Sequence, residues 1–281
     1  MARAAQLEGV TVANVVVKYD AESAHYYLST GEPCHGDLRQ ARKAKAFPSV
    51  TTILKILESD ALTRHKVDAA IVQTLTLPRN DGESEQDYAR RVIESNRAEL
   101  AGMADTGTRI HTLAEQVIAG DAPLHKDIED GLRPHLASLT CWAKAIDVVL
   151  LSEDVVVHDG EGYAGRCDLI AKIDGQFEVV DFKSKNFSKV APFHPDMPGF
   201  ATADEEHKVW TDYKELLQLS AYSFAWAGEA LPARNVFIDR KTGAIDEKLY
   251  TAEEVHDAFE AFRACCCLWR KIKKYDPRRA S

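Results

Sequence analysis

The sequence predicts an α/β fold: a mixed central β-sheet flanked by helices, with an N-terminal helical lobe in front of it. Three observations predict it. The stretch from Gly162 to Lys185 divides at Asp174-Gly175, a pair strongly favoured in two-residue hairpin turns, into two strand-like runs, AGRCDLIAKI and FEVVDFKSK. Around them lie segments of 3.6-residue period, the clearest near Thr106 to Ala119, where Ile110, Leu113, Ala114, Val117 and Ile118 form an apolar stripe. Upstream of residue 105, further helical patterns are separated by Pro78, Asn80 and Gly82.

Composition narrows the class. At 281 residues and 45% hydrophobic content, the chain can bury a sizeable core. No charged-then-apolar leader is present, and no run approaches the roughly 18 apolar residues of a membrane span. A soluble, cytoplasmic protein without a membrane partner is expected. The net charge of -9 argues against coating nucleic acid by bulk electrostatics, yet leaves room for a local basic groove beside metal-binding carboxylates. The six cysteines, at 34, 141, 167, 265, 266 and 267, lack the spacing of a disulfide framework, so reduced thiols are expected.

Taken in order, residues 8 to 30 read as a β-hairpin, VTVANVVVKY and HYYLST joined at DAES. A basic loop follows with Arg39, Arg42, Lys43 and Lys45, read either as plain surface or as phosphate-facing. Ser49 is placed as the N-cap of a helix beginning VTTILKIL, and two more helices are expected near Ala61 to Leu75 and Glu83 to Leu100. The Thr106 to Ala119 helix sets His111 and Glu115, four apart, on one face beside its apolar stripe, before Gly120 and Pro123 end it. A helix from about Ile128 to Val148 and a strand EDVVVH from Glu153 to His158 then lead into the central hairpin.

Beyond it, Asn186 to Thr211 reads as a long loop. Its Phe187, Phe193, Phe200 and Trp210, interleaved with Lys185, Lys189 and His194, either stack a single strand or tuck the loop onto the domain. Helix Asp212 to Ala227 presents Gln218 and Tyr222 on one face, and NVFIDR and AIDEKLY form a second hairpin. The last helix opens with a capping box, Thr251 to Glu254, and buries Val255, Phe259, Phe262, Cys266 and Trp269. It ends in basic residues, read as a solubilising tail or a backbone-contacting patch. No repeat or linker divides the chain, so one domain over 1–281 is expected: hairpin and lobe 1–104, core 105–250, C-terminal helix 251–281.

The chemistry concentrates in the central hairpin. Alternation along a strand puts Asp168 with Ile170 on one face, Cys167 on the other, and Asp181 with Lys183 on one face of the next strand. Ionised groups at the margin of an apolar core are costly unless paired or bound to metal. Two carboxylates and a lysine are what metal-dependent phosphodiester cleavage needs. The acids hold Mg²⁺ or Mn²⁺, the backbone carbonyl of Phe182 adds a ligand, and the lysine orients or deprotonates water and stabilises charge. An imidazole, for which His111 is the candidate, tilts the site toward Mn²⁺.

These residues carry a family resemblance. G-R-C-D at 165–168 and D-F-K-S-K at 181–185 resemble motifs II and III of the PD-(D/E)XK nuclease superfamily. G-T-R-I-H-T-L-A-E at 107–115 is similar to the histidine-bearing motif of its RecB-like, Cas4-like branch, and Q-L-S-A-Y at 218–222 to its Gln-xxx-Tyr motif. P-S-V-T-T-I-L at 48–54 resembles stand-alone phage and mitochondrial-genome-maintenance-type exonucleases. The resemblance implies a restriction-endonuclease-like core in which His111, Asp168 and Asp181 bind metal and Lys183 is catalytic. Gln218 and Tyr222 would then contact the nucleotide or orient Lys183, and Glu115 is a further candidate. Some relatives carry an iron-sulfur cluster on four cysteines. Cys34, Cys265, Cys266 and Cys267 match the count, but three consecutive helical residues point about 100° apart, so no cluster is expected.

The function expected from this reading is a Mg²⁺- or Mn²⁺-dependent deoxyribonuclease, an exonuclease on single-stranded DNA or DNA ends in replication, recombination or repair. The alternatives are a structure-specific or restriction-like endonuclease and a non-catalytic nucleic-acid-binding protein that keeps the fold. The chain has no G-x-x-x-x-G-K-[ST] segment, so ATP-driven translocation is not expected of it.

Overall fold

A computed structural model describes residues 25–57, 60–186 and 212–279. Its centre is a five-stranded mixed sheet in the order β3 (Ile146–His158), β4 (Tyr163–Ile173), β5 (Gln176–Lys185), β6 (Ala233–Asp239), β7 (Ile245–Tyr250). All neighbours are antiparallel except β5 and β6. That parallel pair requires a crossover, which contains helix α6 (Tyr213–Ala227). The β4–β5 turn is the expected Asp174-Gly175, both residues at positive φ (48° and 85°) as a two-residue turn of type I′ demands. A two-stranded ribbon of β1 (Tyr26–Tyr27) and β2 (Phe47–Pro48) lies apart from the sheet in pairing.

Helices cover both faces. On one, α2 (Val50–Leu54), α6 and α7 (Ala252–Lys273) share a core with Tyr163, Cys167, Ile170 and Val179 of the sheet. On the other, Ile110, Leu113 and Ala114 of α4 (Glu85–Ala119), with Leu136 and Leu139 of α5 (Arg133–Trp142), pack on Leu169, Ala171, Val180, Phe182 and Val236. The caps follow the local sequence. Ser49 accepts from Thr52 N at the start of α2, and Thr251 with Glu254 closes a capping box on α7. Val255, Phe259, Phe262, Cys266 and Trp269 are all buried, so the stripe expected of α7 is the one it uses.

Several boundaries differ from expectation. HYYLST contributes only the two-residue β1, which pairs with β2, and residues 8–24 lie outside the described residues. The basic segment after Gly36 is helix α1 (Leu38–Ala44), because Asp37 and Gln40 cap it reciprocally. The helices expected at 83–100 and 106–119 are one 35-residue helix, about 52 Å long at 1.5 Å per residue, since nothing stronger than Gly102 interrupts the pattern. Helix α3 (Asp60–Thr76) lies against its first half, where Gln73 Nε2 donates to Ser95 Oγ at 2.6 Å. The helix expected to reach Val148 stops at Trp142, and Ile146–Val148 already belong to β3, whose valine- and leucine-rich sequence suits a strand. The aromatic loop expected from 186 lies, from Phe187 to Thr211, outside the described residues.

Candidate active site

One irregularity in the sheet builds the site. Cys167 and Ile170 pack into the same core although three residues apart, so the two-residue alternation slips between them, at Asp168. This corrects the expectation that Cys167 and Ile170 face opposite sides. Opposite Asp168 in the register, between Ser152–Leu169 and Asp154–Cys167, stands Glu153 with φ of 52°. A non-glycine residue in that region is strained by about 1–3 kcal/mol, and such residues cluster at functional sites. On the other side, β4 and β5 pair only as far as Leu169–Val180, and beyond that point the Phe182 N–H bonds to Asp168 Oδ2 at 2.9 Å. The carboxylate stands where the next ladder bond would have been.

Asp168 and Asp181 therefore sit where two interior strands part, not at an outer strand of the sheet. The cleft there holds about 480 Å³ and is lined from four directions: Glu153, Gly165, Asp168, Asp181 and Lys183 of the sheet, Gly107, His111 and Glu115 of α4, Gln218 and Tyr222 of α6, and Ser49 and Thr51 beside α2. Helix α4 comes close because Gly107 has no side chain, a Cβ there falling 2.8 Å from Ser184 Oγ. That approach brings His111 Nδ1 to 3.8 Å from Asp168 Oδ2.

Two sub-clusters share the cleft. His111, Glu153 and Asp168 each present a ligand atom, all within 4.8 Å of one another, and no other such group occurs among the described residues. Burial and the neighbouring Asp168 push the Glu153 carboxyl up to about 8, against the Arg166 guanidinium that pairs with it at 2.8 Å. Burial and Asp181 likewise raise Asp168, with His111 and Lys183 opposing. Arg166 also reaches Glu115, at 3.9 Å, so that carboxylate stands one step back from Asp168.

The second sub-cluster is a continuous hydrogen-bonded chain. Tyr222 Oη accepts from Gln218 Nε2 at 3.1 Å, Gln218 Oε1 accepts from Lys183 Nζ at 3.4 Å, and Lys183 Nζ reaches both Asp181 oxygens at 2.7 and 2.6 Å. Asn235 Nδ2 on β6 completes it, donating to Asp181 Oδ2 at 2.9 Å. Burial works against the Lys183 ammonium, but Asp181 and Asp168 outweigh it and hold its pKa above the ordinary value. Asp181 is fully buried and faces the α6 side with Lys183, as alternation required.

Each residue expected at the site thus lines this cleft or its wall, but the grouping is finer than expected. Glu153 joins His111 and Asp168 as the tightest donor set, while the Asp181 oxygens are engaged by Lys183 and Asn235. Phe182 buries its ring against Trp142, and its carbonyl leaves the strand on the same side as its N–H, toward Asp168. Tyr222 is 2% exposed and braces Gln218, which in turn meets Lys183. Sequence reasoning passed over Glu153, Asn235 and Arg240, the last lining the cleft and donating to Ser184 Oγ at 3.3 Å. For Glu153 the only local signal is a pair of acids, Glu153 and Asp154, at the head of a valine-rich strand.

The cysteines take different surroundings: Cys265 and Cys266 are buried in the core, Cys267 is exposed, and Cys34 packs on the same core from outside. No helix among the described residues is long and apolar enough to cross a membrane. Set against models of known protein families, the chain finds no match, and no curated protein matches it.

Proposed function

We propose that this chain is a metal-dependent deoxyribonuclease of the PD-(D/E)XK kind, acting on single-stranded DNA or DNA ends. The observation that carries the reading is the convergence, in one cleft, of a His-Glu-Asp donor set with a lysine held on a buried aspartate. The donor set suits a hard divalent ion. Two carboxylates and an imidazole face one another within 4.8 Å, and Asp181 and Glu115 line the same cleft. Mg²⁺ or Mn²⁺ bound there supplies a water of lowered pKa and neutralises charge on a phosphate.

The protein's own groups then divide the work. His111, Glu153 and Asp168 would hold the cation, and Arg166 keeps Glu153 oriented. Lys183 stays an ammonium at neutral pH because its carboxylate neighbours outweigh burial. It therefore suits stabilising charge on the scissile phosphate and orienting water, rather than removing a proton. Gln218, braced by Tyr222, fixes the direction of the Nζ group.

Purified protein incubated with end-labelled linear and covalently closed circular single strands tests this, with Mg²⁺, Mn²⁺ or EDTA and a Lys183→Ala variant in parallel. Loss of linear strands alone, abolished by EDTA and by the substitution, is expected. Loss of circles as well would make it an endonuclease, and intact DNA in every lane would overturn the reading.

A further inference from the structure

Two basic segments, 37–45 and 270–278, stand far apart in sequence and hold nine basic residues against two acidic ones, in a chain of net charge -9. The fold joins them. Arg42 Nη2 donates to the Lys273 carbonyl, and Tyr275 Oη donates to the carbonyls of Ala46 and Ala41 at 2.8 and 3.3 Å. The C-terminal ends of α1 and α7 therefore meet. Arg39, Arg42, Lys43 and Lys45 are exposed on one side of the junction. Lys271, Lys273, Lys274 and Arg278 are exposed on the other, and all of these but Lys273 line a hollow of about 560 Å³ with Arg270 and Cys267.

Basic residues in a last helical turn commonly answer the helix dipole, but two C-termini amount to only about one negative charge together. Glu161 offsets Arg270 and Arg278, at 3.3 and 3.7 Å, and Asp276 pairs with Arg278 at 2.9 Å. A surplus of several positive charges is left over. It also has a direction. Lys45 is the C-cap of α1, and four residues later Ser49 lines the active-site cleft, a span of at most about 14 Å. At 3.4 Å per phosphate along a stacked strand, that span is about four nucleotides.

We propose that the α1–α7 junction is a second nucleic-acid contact, which holds the phosphate backbone of a strand whose end lies in the cleft. The direction of that strand rests on the nuclease reading; the polyanion contact itself does not. In a chain of net charge -9, such a local basic surface is where a polyanion is drawn to the protein.

The test is binding of a labelled 30-nucleotide oligothymidylate in EDTA, by fluorescence anisotropy across a salt series. The wild type is compared with Lys43→Glu/Lys271→Glu/Lys274→Glu and, should that variant fold poorly by circular dichroism, with the same three positions changed to Gln. Removing three phosphate contacts from a single strand is expected to lower the slope of log K against log salt by about two and to weaken binding at least about tenfold at low salt. An unchanged affinity and slope would overturn the proposal, as would patch-dependent binding to phosphatidylglycerol vesicles without binding to the oligonucleotide. Patch-dependent binding with no cleavage by the wild type would uphold the contact and remove the nuclease reading. Cleavage with patch-independent binding would do the reverse.

Discussion

Replacing Gly165 by alanine tests how the sheet and α6 hold Lys183. Gly165 on β4 faces Tyr222, and a Cβ there would lie 2.8 Å from Tyr222 Cε1 and 3.2 Å from Val50 Cγ2. Carbon atoms pack best at about 3.5–4.0 Å, so the ring must retreat by about 0.7 Å or more. Both neighbours are buried, Tyr222 at 2% and Val50 at 0% exposed, so the ring can give way only toward the cleft that it lines. Overpacking of this kind costs about 1–3 kcal/mol. A loss of about 2 kcal/mol, at roughly 2–4 °C per kcal/mol for a protein of this size, lowers the thermal midpoint by about 4–8 °C. The retreating ring also pulls Tyr222 Oη from Gln218, so cleavage is expected to fall more than stability accounts for. Urea and thermal unfolding of Gly165→Ala, Tyr222→Leu and the double variant measure the effect. Leucine lacks the ring edge that the new methyl meets, so in that background alanine should be close to neutral, with a coupling of about 1 kcal/mol or more. A Gly165→Ala protein as stable as wild type, or a double variant whose losses simply add, would refute the reasoning.

Three further outcomes follow from the same geometry. Arg234, 6% exposed, holds Glu178 at 2.5 Å and Glu247 at 2.9 Å, so Arg234→Met strands a buried Glu178 and should cost about 3–5 kcal/mol in urea titration, most of it recovered on adding Glu178→Leu. His135 is buried and bonded to the Asp239 carbonyl, and burial depresses its pKa; the unfolded chain then takes up a proton first as pH falls below about 6.5. The neutral imidazole's contribution is present above that pH and is lost as pH falls toward the folded-state value, at no more than about 1.4 kcal/mol per unit, so His135→Gln should flatten this part of the profile relative to wild type. Finally, Mn²⁺ at a hundredfold excess over its dissociation constant should stabilise the protein by about 2.7 kcal/mol, an effect that Asp168→Asn loses and the exposed Cys267→Ser keeps; no shift in wild type would count against the donor set.

The parts legible in the sequence are those fixed by local chemistry. Asp174-Gly175 set the hairpin register, and Thr251 with Glu254 set the start of α7, because a turn needing two positive φ angles and a cap needing two reciprocal bonds leave few residue choices. His111, Gln218 and Tyr222 were legible because i,i+3 and i,i+4 spacing on a helix fixes which side chains share a face. What escaped depends on contacts between distant segments. Nothing local to Glu153 shows that it lies opposite Asp168 at a slip in the alternation, and nothing in ARNVFID shows that Asn235 will fall beside Asp181 on a parallel neighbour. The continuity of α4 was missed for the opposite reason: a change in surface composition near residue 100 resembles a boundary when the backbone has no reason to break.

The slip itself accounts for how an apolar sheet can hold three carboxylates. In a regular ladder Asp168 would alternate between cores like Leu169 and Ile170, and its charge would be buried with no partner on either side. Because β4 and β5 part after Leu169–Val180, its oxygen takes the Phe182 N–H that the ladder leaves over, and the same parting opens the gap into which His111 reaches. Asp181, fully buried, is met by two different answers, the Lys183 ammonium from its own strand and the Asn235 amide from the next. Glu153 is paired with Arg166, yet burial and the neighbouring Asp168 raise its carboxyl to about 8, and burial with Asp181 raises Asp168 as well. Both raised carboxyls thus stand in the group arranged for a cation, and a divalent ion there would relieve the repulsion between Glu153 and Asp168 while leaving the Lys183–Asp181 pair intact.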